Sequence, residues 1–309
     1  MTKRTYMEPF HGPLNEFVNS EELPEGVKTV SFHDDFGFPV DMHPDVVYAA
    51  RSGETQHLQI LTPVDMMNHD RLFPLIVFVQ GSAFHRQMVF QHLQHMVRLA
   101  EKGYAVAMVE YRPSEVAVFP AQTEDAKTAV RFMRMHAKEY HVDPDHIALF
   151  GDSSGGHTAL MAGITADREL DTDLYKEYCP AVSCIVDWYG PTDIAAMNEY
   201  PSTQDHVQPD SPEGCLIGGH NVVENPQLAD PTVIMNHLSR EQSIPPILIM
   251  HGSRDHLVPF NQSCRLYRKL KELGKQVEMY RLEGGYHAFG GFNCEDALQL
   301  VLDFLKRNI

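Results

Sequence analysis

The chain has 309 residues, 43% hydrophobic and 22% charged, an ordinary globular composition with enough apolar material for a large core. That excludes disorder or a coiled coil as the global state. Lys plus Arg number 25 against 42 Asp plus Glu, and the net charge of −17 repels phosphate backbones and anionic membrane surfaces, so neither nucleic acid nor a membrane is expected as a partner.

At about 150 residues per domain the length suggests two domains, although α/β folds often run past about 250 residues as one. Residues 1–45 are rich in Pro, Gly, Asp and Glu with weak periodicity and read as an irregular arm. From Val46 to the C-terminus a single α/β domain is expected. Val46–Ala50 and His57–Leu61 look like two short strands joined by a turn at Ser52-Gly53. Pro74 opens the continuous β-branched and aromatic run Leu75–Val79, which suits a parallel strand buried on both faces. A helical stretch over Val89–Lys102 stops at Gly103, and Tyr104–Val109 is the next strand. Ala121–Tyr140 carries Ala126, Ala129, Val130, Met133 and Ala137 at helical spacing. His146–Phe150 is a strand, followed by a Gly-rich turn and a helix over Thr158–Thr165. Ala181–Val186, Ile247–Met250 and Gln276–Leu282 are further strands, with helices over Asn261–Leu273 and Cys294–Lys306. This alternation predicts a mostly parallel central sheet of about eight strands with helices on both faces. Between the sixth and seventh strands, residues 189–245 are rich in Pro, Asp, Asn and Gly. So long a segment reads as a cap-like insertion over the carboxyl edge of the sheet, where open α/β folds bind ligands.

Cys179, Cys184, Cys215, Cys264 and Cys294 form no C-x-x-C pair and suit neither a zinc ribbon nor a disulfide framework. Scattered thiols fit a reducing compartment. Lys3 and Arg4 precede no apolar run, so no signal peptide is expected, and the longest apolar stretches fall far short of the roughly 20 residues of a membrane helix. The expected location is therefore the cytoplasm. No metal site and no cofactor are expected: there is no H-E-x-x-H and no P-loop, and no G-x-G-x-x-G follows the first strand. His92 and His95, at i, i+3 on a helix, read as solvated polar positions rather than ligands.

The strongest chemical signal is Gly151-Asp152-Ser153-Ser154-Gly155-Gly156, between a strand and a helix. That context is what a nucleophile elbow requires: small residues at 151 and 155 let neighbouring backbone approach, and the sharp turn pushes the Ser153 hydroxyl out above the sheet. It also puts the Ser154 N–H at a helix N-terminus, aimed at a developing oxyanion. Ser154 as nucleophile needs a register shift that would misplace the glycines. A serine hydroxyl needs a base to take its proton, and with an elbow of this kind the partners follow as acid, then histidine, on later loops. Asp255, after Ile247–Met250, and His287, after Gln276–Leu282, meet that order. His157, His251 and His256 compete as bases, and Asp187 and Asp193 as acids. The loop Gln80-Gly81-Ser82-Ala83-Phe84 is placed to supply the remaining oxyanion donors from the N–H groups of Ser82 and Ala83.

These three loops resemble the elbow, acid loop and base loop of α/β-hydrolase-fold serine esterases. The likeness is to the hormone-sensitive-lipase-like and bacterial feruloyl (acetyl) esterase branch. Tyr111-Arg112-Pro113, Phe119-Pro120-Ala121-Gln122 with Asp125, and Trp188-Tyr189-Gly190-Pro191-Thr192-Asp193 resemble further stretches of that branch. The resemblance departs at Gln80, where the branch usually carries histidine. It implies carboxylic ester hydrolysis by Ser153, His287 and Asp255 through an acyl-enzyme, with oxyanion donors at Ser82, Ala83 and Ser154. Phe84, Trp188 and Tyr189 are expected near the mouth as substrate-binding surface for a small acyl or aryl ester, a hydroxycinnamoyl (feruloyl or chlorogenate-type) ester among them. The partner expected is thus a small-molecule ester, with a homodimer compatible with the sequence. A serine amidase or peptidase on the same fold, and a non-catalytic hydrolase-fold binding protein, are the alternatives.

Overall fold

The computed structural model describes residues 6–309 except 14, 15, 19, 21, 32–36, 167 and 173. Part of the arm expected over residues 1–45, Lys3 and Arg4 included, lies outside the described residues. Among those described, no β-strand or α-helix precedes β1 (Val40–Arg51). That strand starts ahead of the expected Val46. Phe38 leads into it, donating its N–H to the Glu101 carbonyl at 2.9 Å and packing edge-on against Phe73 at 5.2 Å. The alternation of β1 is poor because the strand lies at the sheet edge, with Met42 and Val47 exposed.

After β1 come β2 (Glu54–Pro63), β3 (Phe73–Val79), α1 (Leu93–Glu101), β4 (Ala105–Val109), α2 (Ala121–Met135), β5 (Val142–Asp152), α3 (Ser154–Thr165) and β6 (Cys184–Trp188). The segment between β6 and the next strand holds only short pieces, a 3₁₀ turn at Ile194–Glu199, α4 (Pro212–Leu216), α5 (Pro226–Ala229) and two further 3₁₀ turns. The chain ends with β7 (Ile247–Gly252), α6 (Asn261–Glu272), β8 (Val277–Leu282), α7 (Phe289–Phe292) and α8 (Glu295–Asn308). The eight strands form one sheet in the order β1-β2-β4-β3-β5-β6-β7-β8. The pairs β1–β2 and β2–β4 are antiparallel and the rest parallel.

Period-two alternation sorts the core onto two faces. Leu75, Val77 and Val79 of β3, with Ala105 and Ala107 of β4, point to one face and meet Ala126, Val130 and Met133 of α2 and Ala159 and Ala162 of α3. Ile185, Ile247 and Ile249 extend that side against Leu160 and Ile164 of α3 and Leu266 and Leu270 of α6. Ile76, Phe78, Val106, Phe150, Val186 and Met250 point to the other face, under Met96 and Leu99 of α1 and Leu298, Val301 and Phe304 of α8. β3 is therefore apolar at both parities, which is why Leu75–Val79 reads as a continuous run. The parallel pairing of β5 through β8 brings the carboxyl ends of β5, β7 and β8 to one edge of the sheet. No helix among the described residues is long and apolar enough to cross a membrane.

Candidate active site

β5 ends in a turn that only its glycines permit. A Cβ on Gly151 would lie 2.1 Å from the Gly155 carbonyl oxygen, and one on Gly155 would lie 1.9 Å from that of Val79. The turn places Ser153 at φ 51°, ψ −127°, a strained conformation for a residue with a side chain. The side chain of Ser153 is thereby lifted out of both the strand and α3, into a cavity shared with His287.

His287 follows β8. Its Nε2 lies 3.0 Å from Ser153 Oγ, and its Nδ1 lies 2.7 Å from Oδ2 of Asp255, which follows β7. The Asp255 carboxylate is fully buried. Its Oδ1 accepts the N–H groups of Leu257 at 3.0 Å and Val258 at 2.9 Å, and its Oδ2 also faces His251 Nε2 at 3.2 Å. Burial by itself would raise its pKa, but the hydrogen bonds from His251 and His287 outweigh burial and hold the carboxyl well below the usual range. A buried anion facing one imidazole nitrogen, with a hydroxyl facing the other, can fix the tautomer and stabilise the imidazolium formed when that hydroxyl loses its proton.

The loop after β3 closes the other side. Gly81 donates its N–H to Asp152 Oδ1 at 2.8 Å, and Gln80 donates through Nε2 to Gln91 Oε1 at 3.1 Å. The N–H of Ser82 is already taken, donating to Ser154 Oγ at 2.9 Å. This corrects the expectation that Ser82 supplies an oxyanion donor: the hydroxyl at 154, where a smaller residue would leave the N–H free, occupies it. The backbone N–H groups of Ala83 and Ser154 have no acceptor within hydrogen-bonding distance among the described residues. Tyr111 braces the loop from below, its hydroxyl 2.7 Å from Ser82 Oγ and 3.3 Å from Ser154 Oγ. Arg112 is anchored in turn by Asp125, donating from Nε to Oδ2 at 2.9 Å and from the backbone to the same oxygen at 2.8 Å.

The cavity in front of Ser153 is lined by Gly81–Phe84, Gln91, His92, Asp152–Ser154, Pro191, Gln204, His206, Pro212, Glu213, Leu257, Val258, His287 and Ala288. Phe84 is part of this wall. Trp188 and Tyr189 are not, and the expectation that they contact substrate is corrected. Both are fully buried. Trp188 packs beneath the site against Phe150 at 4.8 Å and Phe292 at 5.1 Å, and the Tyr189 ring lies against those of Phe292 at 4.5 Å and His287 at 4.6 Å. Tyr189 thus backs the imidazole.

The competing residues have other surroundings. His157 is buried, with Nε2 2.8 Å from the Thr232 carbonyl, and burial pushes its pKa down to about 4. His256 is exposed. His251 sits behind Asp255. Asp193 pairs with Arg265 at 2.7 Å, and Asp187 accepts the Gly190 N–H at 3.0 Å. His92 and His95 are buried, not solvated: His92 lies 3.3 Å from Asp152 Oδ2, and the His95 ring is 4.9 Å from Trp188. Sequence reasoning passed over His206 and Glu213, which face each other on the cavity wall from the inserted segment. Their signal was slight, two polar residues in a segment poor in periodicity.

An eight-stranded sheet of this order, with a strained serine turn after β5 and an aspartate and a histidine after β7 and β8, defines the α/β-hydrolase fold. The chain belongs to the BD-FAE family, which it matches over residues 58–270. It is 27% identical over 219 residues to esterase LipC of Mycobacterium tuberculosis, covering 70% of this chain and 53% of that one. The chain spans about half the length of the curated relatives it matches. Among solved structures it is similar to a truncated carbohydrate esterase from gut microbiota, with 27% identity, a TM-score of 0.76 and coverage of 89% of this chain and 98% of that one. It is also similar to a bifunctional GH43-CE protein of Bacteroides eggerthii, with 29% identity, a TM-score of 0.75 and coverage of 86% of this chain and 38% of that one.

Proposed function

We propose that this chain is a carboxylic ester hydrolase that works through a serine acyl-enzyme, with Ser153 as nucleophile, His287 as base and then acid, and Asp255 as the group that orients the imidazole. The observation that carries the reading is the unbroken series from Ser153 Oγ through His287, 3.0 Å to one ring nitrogen and 2.7 Å from the other to Asp255. Kinship with an esterase and with a carbohydrate esterase supports the same reading.

Ser153 Oγ attacks the ester carbonyl as its proton passes to His287 Nε2. The N–H groups of Ala83 and Ser154 receive the oxyanion, each worth about 3 kcal/mol in the barrier. Collapse of the tetrahedral intermediate breaks the bond to the alcohol, which leaves with the proton from Nε2. Water then gives a proton to Nε2 as it attacks the acyl carbon, and the carboxylic acid departs as Ser153 regains its hydrogen. The substrate is a small acyl ester. Of the three aromatic residues expected at the mouth only Phe84 lines the cavity, which supports an acetyl-sized group over a large aromatic one at the reacting carbonyl.

The test is a panel of p-nitrophenyl acetate, p-nitrophenyl butyrate, a feruloyl ester and an acetanilide, each run with Ser153→Ala as control. Acetate turnover should lead the panel and fall by about 10⁴-fold or more in the variant. Retained turnover in Ser153→Ala, or a Ser153 that a fluorophosphonate does not label, overturns the assignment. Faster anilide than ester cleavage would replace it with an amidase.

A further inference from the structure

The inserted segment carries a buried ion pair whose geometry leaves one carboxylate oxygen unused. His206 and Glu213 are 3% and 4% exposed, with Nδ1 of the first 2.9 Å from Oε2 of the second. The other ring nitrogen of His206 lies 3.0 Å from the Leu257 carbonyl oxygen and 3.0 Å from Ser202 Oγ. Both ring nitrogens therefore face oxygen acceptors, which a ring bearing both protons satisfies. Burial opposes that charge, but the hydrogen bond and the charge of Glu213 outweigh burial and raise the His206 pKa. That raised pKa favours the imidazolium form of His206 beside Glu213.

Glu213 Oε1 has no hydrogen-bond partner among the described residues, and Glu213 lines the same cavity as Ser153 and His287. Phe84, Pro191, Pro212, Leu257 and Val258 give that wall its apolar patches, and Gln91 and Gln204 are further polar side chains on it. A free acceptor on the cavity wall can take a donor from whatever fills the cavity. Since His206 already balances the charge of Glu213, that donor need not be a cation. A neutral hydroxyl fits.

We propose that Glu213, held by His206, is a specificity-determining acceptor for a hydroxyl on the alcohol part of the substrate, so that the cavity selects esters whose alcohol keeps a second free hydroxyl. The inference rests on the esterase reading above. It adds a role for the inserted segment, which contributes none of the reacting groups.

Glu213→Gln tests it with little change in volume. The new side chain must turn its carbonyl toward His206 Nδ1–H, and so presents an amide donor to the cavity in place of an acceptor. Glu213→Ala, which removes the oxygen altogether, is the second variant should the first fold poorly. The probes are a monoacetylated methyl xyloside with its other hydroxyls free, the same acetate with those hydroxyls methylated, and p-nitrophenyl acetate. In the wild-type enzyme kcat/KM should favour the free-hydroxyl acetate over its methylated counterpart by about tenfold or more. In either variant that ratio should fall to near one, because kcat/KM for the free-hydroxyl acetate drops by more than kcat/KM for its methylated counterpart or for p-nitrophenyl acetate. A wild-type ratio near one overturns the proposal, and so does a ratio that survives both variants, which would make the pair a structural one. Turnover of p-nitrophenyl acetate by wild type but not by Ser153→Ala separates either result from a failure of the esterase reading.

Discussion

One oxygen of Asp255 serves two imidazoles: Oδ2 lies 2.7 Å from His287 Nδ1 and 3.2 Å from His251 Nε2. The second histidine is fully buried at the end of β7, with its Nδ1 2.7 Å from Ser263 Oγ and its Nε2 also 2.9 Å from the Val258 carbonyl. A neutral ring accepting from Ser263 and donating from Nε2 satisfies all of these contacts. His251 thus holds the same carboxylate oxygen that faces His287, and couples it to α6 through Ser263.

His251→Leu should leave Asp255 ionised but less firmly held. The loss of a donor to a buried carboxylate, with Ser263 and the Val258 carbonyl deprived of a partner, should cost about 1–3 kcal/mol of stability. In steady-state kinetics on p-nitrophenyl acetate, kcat should drop by about tenfold, roughly 1.4 kcal/mol, with KM little changed. A fall in stability with kcat intact would mean that His251 supports the fold and not the imidazole.

The two adjacent serines should behave oppositely. Ser153→Ala removes the proposed nucleophile. Ser154→Ala removes only the acceptor of the Ser82 N–H and the hydroxyl near Tyr111, and leaves the backbone donors at 83 and 154 in place. Turnover should persist within about threefold while stability falls by about 1 kcal/mol, the net worth of one hydrogen bond. Thermal unfolding and ester kinetics on the same samples decide. A loss in Ser154→Ala as deep as in Ser153→Ala would show that the hydroxyl at 154 takes part in the chemistry.

What could be read from the chain before its structure follows a physical division. The buried strands, the glycine turn and the order serine, aspartate, histidine are local patterns, set by side-chain period, steric exclusion at Gly151 and Gly155, and loop position. Trp188 and Tyr189 could not be placed that way. They stand at the end of β6, close to the mouth in sequence, but strand parity turns Trp188 into the face that packs under α8, and Phe292 covers both rings. The state of the Ser82 N–H depends on a hydroxyl that β5 and α3 bring to it. The antiparallel pairing of β2 with β4, and the pairing of His206 with Glu213, likewise depend on tertiary contacts that no local pattern encodes.

The elbow glycines set a steric limit. Gly155→Ala would drive a methyl group to 1.9 Å from the Val79 carbonyl oxygen, a backbone atom that cannot rotate aside. The variant should separate α3 from the end of β3, with about 3 kcal/mol or more lost in chemical denaturation and activity reduced with it. Wild-type stability in this variant would mean that the turn relaxes freely, and that the strain at Ser153 is not imposed by close packing.

Asp187 gives the protein a pH dependence of the opposite sign to that of Asp255. Its carboxyl is fully buried at the end of β6, where Oδ1 accepts the Gly190 N–H and Oδ2 has no partner among the described residues. Burial, aided by the nearby charge of Asp152, pushes its pKa up to about 7 against 3.8 for an ordinary aspartate. Between those two values the folded chain holds a proton that the unfolded chain has released, so the folded state loses stability as pH rises through this window. Asp187→Asn keeps an uncharged side chain of the same shape, can still accept from Gly190, and cannot ionise. It should match the wild type near pH 4 and exceed it by on the order of a few kcal/mol at pH 8. Urea unfolding of both proteins across that range measures the gap directly, and parallel curves would mean that the Asp187 carboxyl is charged throughout.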